Sequence, residues 1–367
     1  MEPQAKYYDP EEKGPSPVDP IVKSPSVDLG DFVHLHCHSN LSFKDSINVI
    51  EEMSKWAVHQ GQKALALTDH GHAFGATRHA LAAKDAGIEP IFGMEAYEAN
   101  IDDLVNGEDD TYPAHLTLLV MNRQGWINLC ALHTKSYFKP YAQIGRGGRL
   151  YPRIDRKLLE EHNEGLICMS ACLGGRVQRP FMNNESDRVL KDGMRWYNDV
   201  FQDRFFVELM ANTEEQCAII HRQRQISKQV GVKTVATNDV HYMTRQDGER
   251  NGPHNIYTAA RYGNEALVDR SQELDANGRN QTGWYGSDGF YLKNTAEMLA
   301  TGFTPQELLT SVEIASRCVG GFDPMIDIRG QVQLPKAPLD NVVDDVGMML
   351  FESWRCSHSR VLMKNKD

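Results

Sequence analysis

Between residues 31 and 245, short apolar or alternating runs recur with helical stretches between them, and this alternation restricts the fold more than any other feature of the chain. The runs are Val33 to His38, Ala64 to His70, Pro90 to Tyr97, His115 to Met121, Gly165 to Cys172, Arg204 to Met210 and Thr234 to Tyr242, seven strand candidates in all. Between the first two, Ile47, Ile50, Met53, Trp56 and Ala57 keep a helical stripe that Gly61 stops. Trp56 and its stripe are therefore expected in the core against a sheet. Further helices are expected from Gly75 to Ala86, Gln124 to Phe138, Ser186 to Phe201 and Thr213 to Val230. Strands separated by helices predict a parallel sheet, and seven such units are enough to close a barrel.

The flanks read differently. Residues 1–30 are rich in Pro and acidic residues without periodicity and are expected to be a flexible extension. Past Tyr242 comes a Gly, Asn and Gln-rich stretch, then a short strand Phe290 to Lys293 and a helix within TPQELLTSVEIASRC. A boundary is therefore placed near residue 245, with 31–245 as the barrel and 246–367 as a mixed α+β extension whose tail carries a helical run near Val342 to Val361. No run of about 18 apolar residues occurs, so no membrane span is expected. The start of the chain lacks the basic and apolar stretches of a secretory signal. Seven Cys without a CxxC pair fit reduced thiols, and a cytoplasmic setting is expected.

Chemistry concentrates at the strand ends. Alternation along Val33-His34-Leu35-His36-Cys37-His38 puts three imidazoles on one face, the signature of a metal site. The second run ends in Thr68-Asp69-His70 and the third carries Glu95. The fourth begins with His115, the fifth ends at Cys172, and the seventh ends with Asp239 and His241. A lone His at a strand end is more often a hydrogen-bonded structural group than a ligand. Six of seven runs with a His, Cys or carboxylate near one end point instead to convergence on one rim. The sixth run, FFVELM, offers only Glu208.

HLHCHSNLSFKDS, ALALTDHGHAFGA, IFGMEAY, HLTLLV, GLICMSACLGG and VATNDVHY resemble, in order and spacing, the PHP (polymerase and histidinol phosphatase) domain of bacterial C-family replicative polymerases, the DNA polymerase III alpha subunits. The likeness extends through GRLYPRIDRKLLEEHNEGL, DGFYLKNTAEM and LLTSVEIASRC, so it covers roughly residues 31 to 320. It implies a distorted (β/α)7 barrel, TIM-like in architecture. It also implies a cluster of two or three divalent metal ions held by His36, His38, Asp45, His70, Glu95, His115, Cys172, Asp239 and His241. By the same resemblance, His36, His38, Glu95 and Asp239 hold one metal, Glu95, His115 and Cys172 a second, and Asp45, His70 and His241 the third. Ser46 stands where the family usually has Gly, which puts the geometry of the loop next to Asp45 in question. Imidazole, carboxylate and thiolate together suit Zn, Fe or Mn.

The resemblance implies a 3′ to 5′ exonuclease acting as proofreader on single-stranded DNA or a primer 3′ end, with Asp69, His70, Asp239 and His241 as the catalytic residues. No paired-aspartate motif of a polymerase palm occurs in the sequence, so polymerisation is expected to need a separately encoded palm and fingers, or the rest of a longer chain. Two other readings stay open: a non-catalytic subunit that docks on a polymerase core, and a phosphatase for a small monoester. A formal charge of −11 excludes a generally basic DNA-binding surface, so a polyanionic substrate must be met locally. Arg176, just after the CLGG loop, is expected to meet substrate phosphate. Arg146 and Arg149, with Arg153 and Arg156, form a Gly-rich basic run that suits a loop over phosphates, or simply a soluble loop. His34 is expected beside the ligands, orienting one of them. His72 is expected in a solvated loop, and His59, His79, His133, His162, His221, His254 and His358 at the surface. The acidic run Asp102 to Asp110 is expected to be a solvated loop.

Overall fold

The computed structural model describes residues 29–43, 45–100, 113–144, 150–259 and 286–322. Its strands are β1 (Ala64–Leu67), β2 (Glu89–Glu98), β3 (Ala114–Val120), β4 (Ala142–Ile144), β5 (Leu150–Ile154), β6 (Leu166–Met169), β7 (Phe205–Leu209) and β8 (Lys233–Ala236). They form one sheet in the order β4-β5-β2-β3-β6-β7-β8, with β1 also paired to β2. The run 33–38 makes bridges rather than a regular ladder. Ala66 N donates to His34 O and Thr68 N to Cys37 O, both at 2.9 Å, on the β1 side. On the other side, Val240 N donates to His36 O at 3.0 Å and His38 N to Val240 O at 2.9 Å. This run therefore joins the β1 end of the sheet to the chain leaving β8, and the curled sheet is the α/β barrel that the alternation predicts.

One strand corrects the expectation of a wholly parallel sheet. β3 runs antiparallel to both β2 and β6. The consequence is functional, because the beginning of β3 now lies at the edge where its neighbours end. His115, near the start of its strand, thereby joins residues near the ends of theirs.

The helices follow the sequence closely. Helix α1 spans Ile50–His59 and buries Ile50, Met53 and Ala57, while Trp56 packs on the same cluster and its indole N–H donates to Leu292 O. Helix α2 spans Ala76–Ala86 and stops at Gly87, whose φ of 79° is the left-handed conformation that glycine reaches without strain. Three helices, Arg123–Ser136, Asp187–Phe201 and Glu214–Val230, occupy the other expected segments. The last begins with a capping box between Thr213 and Gln216. The β4–β5 hairpin was not expected, and it places Arg153 in a buried strand rather than in a draped loop.

Val33, Leu35, Ile91, Leu119, Ile167, Met169, Phe206 and Val235 form the main core together with Ile314, Ala315 and Cys318 of the helix Pro305–Cys318. Burying each of the larger aliphatic or aromatic chains contributes roughly 1.5–3 kcal/mol. Residues on both sides of the expected boundary near 245 thus share one core, and the described residues form one compact unit. The extension at 1–28, the acidic run at 102–110, Arg146, Arg149 and the helical run near 342–361 lie outside the described residues. No described helix is long and apolar enough to cross a membrane.

Candidate metal centre

Nine side chains converge at the edge of the sheet where most strands end. His36 and His38 alternate inward from the run 33–38, Asp45 comes from the following turn, and His70 follows β1. Glu95 lies in β2 and His115 near the start of β3. Cys172 sits in the turn after β6, and Asp239 and His241 follow β8. Glu95 is the hub: its Oε1 lies 3.4 Å from His36 Nε2 and 3.0 Å from His115 Nδ1, and its Oε2 lies 3.4 Å from His38 Nε2 and 2.6 Å from His70 Nδ1. Asp239 Oδ1 lies 3.4 Å from His36 Nε2 and 3.1 Å from His38 Nε2. Asp45 Oδ2 is 2.7 Å from His70 Nε2, and Cys172 Sγ is 3.3 Å from His115 Nδ1. Three overlapping sets keep one ligand atom from each residue within 4.8 Å of the others: His38 with His70 and His241, His36 with His38 and Asp239, and His70 with Glu95 and His115.

The turns that present these groups are tightly held. Asp239 has φ 50°, a left-handed conformation that Asp tolerates better than most residues but that still costs about 1–3 kcal/mol. Its neighbour Asn238 pays for it: Asn212 Nδ2 donates to Asn238 O at 2.7 Å, and Asn238 Nδ2 donates to Gly289 O at 3.1 Å. Ser46 Oγ lies 2.8 Å from His38 O and 2.9 Å from His241 O and can give its one proton to either carbonyl, so the Ser in place of the family's Gly lies between two ligand strands. Cys172 follows Ala171, whose φ is 58°, and Gly175 N closes the turn onto Cys172 O at 2.8 Å. A Cβ at Gly175 would lie 2.2 Å from Ser170 O, so only glycine fits there.

The electrostatics of the cluster favour positive charge at its centre. Burial opposes charge on His36, yet Glu208, Asp239 and Glu95 raise its pKa well above the ordinary value. Burial likewise opposes charge on His70, which Tyr97 and Glu95 nonetheless hold well up. His38 falls to about 4, through burial and then the nearby His70 and His241. Against the cost of burial, His115, His70 and His36 keep Glu95 well below the usual carboxylate range. Burial, with Glu95 and Asp239 beside it, pushes the Cys172 thiol well up. These are carboxylates that call for cations at their centre. His36 Nε2 is buried and makes no hydrogen bond, with Glu95 Oε1 and Asp239 Oδ1 each 3.4 Å away, while the two ring nitrogens of His70 lie 2.6 Å from Glu95 Oε2 and 2.7 Å from Asp45 Oδ2. Imidazole nitrogens and carboxylate oxygens crowded this closely fit metal ligands, and the mixed N, O and S set suits Zn, Mn or Fe.

Residues 34–212 match the PHP domain family. The segment is a PHP domain. DNA polymerase III subunit alpha of Campylobacter jejuni is 33% identical over 302 residues, covering 79% of this chain and 23% of that protein. The subunit of Borreliella burgdorferi is 33% identical over 291 residues, with 78% and 24% covered, and that of Helicobacter pylori strain 26695 is 32% identical over 319 residues, with 84% and 24% covered. The chain thus spans about a quarter of the length of these relatives. Among solved structures, an amidohydrolase from Chromobacterium violaceum aligns at 15% identity with a TM-score of 0.35, over 57% of this chain and 87% of that one, too loosely to bear on function.

The other side chains singled out from the sequence take different places in the PHP domain. Both Asp69 oxygens accept from the 39–42 turn, Oδ1 from Ser39 N and Ser42 Oγ at 2.7 Å and Oδ2 from Ser39 Oγ at 2.8 Å, so Asp69 shapes the loop leading to Asp45. His34 is buried and bonds Lys293 O at 2.7 Å through Nε2, outside the ligand cluster. Arg176 Nε lies 2.9 Å from buried Glu98, which also accepts from Tyr197 Oη. The guanidinium of Arg156 sits 4.4 Å over the Trp196 ring. His72, His79 and His254 are buried rather than solvated. His79 bonds Leu65 O, His254 bonds Asp45 O, and burial holds both near pKa 4, hence neutral at pH 7. The residue that sequence reasoning undervalued is Glu208. It is buried in β7 and accepts from His36 Nδ1 at 2.9 Å, directly behind a candidate ligand.

Proposed function

We propose that this PHP domain is a metal-dependent phosphodiesterase of DNA replication, a 3′ to 5′ exonuclease working beside a polymerase core of the DNA polymerase III alpha type. The observation that carries this reading is the cluster of nine ligand-type side chains around Glu95, with three overlapping sets of ligand atoms within 4.8 Å of one another. His36, His38, Glu95 and Asp239 would hold one metal, Glu95, His115 and Cys172 a second, and Asp45, His70 and His241 a third. Bound divalent ions would polarise a phosphodiester oxygen, lower the pKa of water and offset charge on the leaving oxygen.

The protein's own part is placement. Glu95 would be shared between two of the sites, and its place within β2 would hold it fixed relative to the ligands of both. His241 donates from Nδ1 to Asp239 O at 2.8 Å, which leaves Nε2 as its ligating nitrogen. Asp69 holds the 39–42 turn, and through it the position of Asp45. His115, with 26% of its side chain exposed, marks the side of the cluster open to a DNA 3′ end. DNA polymerase III alpha relatives make a primer strand the expected substrate and a polymerase palm and fingers the expected partner.

The test is release of mononucleotides from 3′-matched and 3′-mismatched primers during titration with Mn2+ or Zn2+. We expect cleavage from the 3′ end that rises with metal occupancy and favours the mismatched end. Fully metal-loaded protein that leaves both primers intact would overturn the reading, and preferential cleavage of a small phosphate monoester would redirect it.

A further inference from the structure

Glu208 is surrounded by donors from four different parts of the barrel. Its Oε1 accepts from Thr117 Oγ1 at 2.8 Å in β3 and from Ala171 N at 2.9 Å in the turn that carries Cys172. Its Oε2 accepts from His36 Nδ1 at 2.9 Å and from Thr237 Oγ1 at 2.7 Å, just past β8. An ionised carboxylate can only accept, so Nδ1 of His36 must carry a proton whenever this bond is made. The lone pair on Nε2 then faces Glu95 Oε1 and Asp239 Oδ1, each at 3.4 Å, where it makes no hydrogen bond.

We propose that Glu208 is the positioning residue of the metal centre: it fixes the tautomer of His36 so that Nε2 is the ligating nitrogen, and pins the Cys172 turn to the same carboxylate through Ala171 N. The inference rests on the metal-centre reading and not on the exonuclease reading. One carboxylate would thereby set two ligands that belong to different metals. Partners of this kind are known to change metal affinity by about 10–100-fold when removed.

Replacement by the isosteric amide makes a directional test, because the two oxygens of Glu208 face different partners. In Glu208→Gln the amide oxygen must face Ala171 N, since the reverse orientation opposes two N–H donors that cannot rotate. The amide nitrogen then faces His36 Nδ1 and Thr237 Oγ1. Threonine can turn its hydroxyl to accept. His36 can satisfy the amide only by moving its proton to Nε2, the atom that must ligate.

The experiment uses the full chain, with bound Zn2+ counted by elemental analysis and affinity read by competition with a chelating dye, alongside 15N NMR of the imidazoles. In the Zn-loaded wild type the proton of His36 is expected on Nδ1. Glu208→Gln is expected to lose the ion held by His36, or to bind it about 10–100-fold more weakly, while the ion of Asp45, His70 and His241 is retained. A purely structural role predicts a lower melting temperature with unchanged Zn2+ number and affinity, and that result would overturn the proposal. If the variant fails to fold, the wild-type spectrum decides: a proton on Nε2 with bare Nδ1 overturns the proposal, and a proton on Nδ1 supports it. Wild-type protein that takes up no Zn2+ would instead bring down the metal-centre reading itself.

Discussion

Two buried glutamates stand on opposite sides of His36, and their surroundings are opposite in kind. Glu208 accepts four hydrogen bonds from donors fixed in the fold. Glu95 sits among four imidazoles, at 2.6 to 3.4 Å, every one of which is a candidate metal ligand. A carboxylate saturated with donors is finished by folding. One ringed by imidazoles needs positive charge from protons on them or from metal, because an uncompensated buried anion is strongly disfavoured. The contrast separates the part of the barrel that folding completes from the part that a ligand completes.

The largest effect should follow from Glu95→Gln. Removing the shared charge takes a ligand from at least two of the proposed sites at once, so bound metal should fall to one ion or none and phosphodiester hydrolysis to background. Elemental analysis of the dialysed variant checks the first, and the primer assay the second. A variant that keeps the wild-type metal content would erase the distinction between the two glutamates.

Next in size is a pH effect that differs between metal-free and loaded protein. In the metal-free protein His36 and His70 have raised pKa values, with the neighbouring carboxylates overcoming burial. Their contribution to stability is complete below the unfolded value of about 6.5 and is lost as pH climbs through the raised folded values. Glu95 and Asp239 have lowered values, because against the cost of burial His115, His70 and His36 favour the charged Glu95, and His36, His241 and His38 the charged Asp239. Their contribution is present above about pH 4 and is lost on acidification. His34, His38, His79 and His254, held near 4 chiefly by burial, resist protonation and so cost stability as pH falls below about 6.5. The metal-free protein should therefore be most stable near pH 6.5 and weaken towards pH 8.5. Metal replaces protons on the same atoms, so the loaded protein should hold its stability over that upper range. Thermal melts of both forms at pH 6.5 and 8.5 measure the gap, which should widen with pH; a constant gap would mean that metal and protons do not compete for these groups.

Much of this contrast could be read from the sequence, and the part that could not has a common cause. His36 and His38 alternate along a strand, and His70, Cys172, Asp239 and His241 fall at strand ends, so period and position alone bring them to the rim. Glu208 sits inside an apolar strand, where a single charged residue looks like a break in the pattern. The cost of burying that charge was the available signal, because a buried carboxylate must find donors. Glu98 and Arg153 are buried charges of the same kind. His79 was also legible: it shares the buried face of α2 with Ala76, Ala80 and Ala83, at helical spacing. The reversal of β3 depends on which strands it pairs with across the sheet, and that pairing leaves no local trace in the residues.

A smaller effect is expected on the open side of the rim. Burial and two carboxylates keep the Cys172 thiol protonated, so only a cation brings it to the thiolate. Cys172→Ser should weaken one ion by about 10–100-fold while the others stay, with stability within about 1 kcal/mol of wild type. Zn2+ competition binding and urea unfolding check the two parts separately. A loss of all the metal would show that the sites do not load independently.

The smallest effect belongs to the completed side. In Thr237→Val a methyl replaces the hydroxyl that donates to Glu208 at 2.7 Å, with almost no change of shape. The carboxylate keeps His36, Thr117 and Ala171 as donors, and valine brings no polar group that could be stranded. The loss is therefore that of a single charge-assisted hydrogen bond, about 1.5–3 kcal/mol, visible as an earlier urea midpoint at unchanged slope. Metal content should not move, because His36 still donates to Glu208 and its Nε2 keeps its lone pair. If Thr237→Val lost metal in proportion to its lost stability, the two glutamates would belong to one cooperative unit, and folding could not be said to finish the one before a ligand finishes the other.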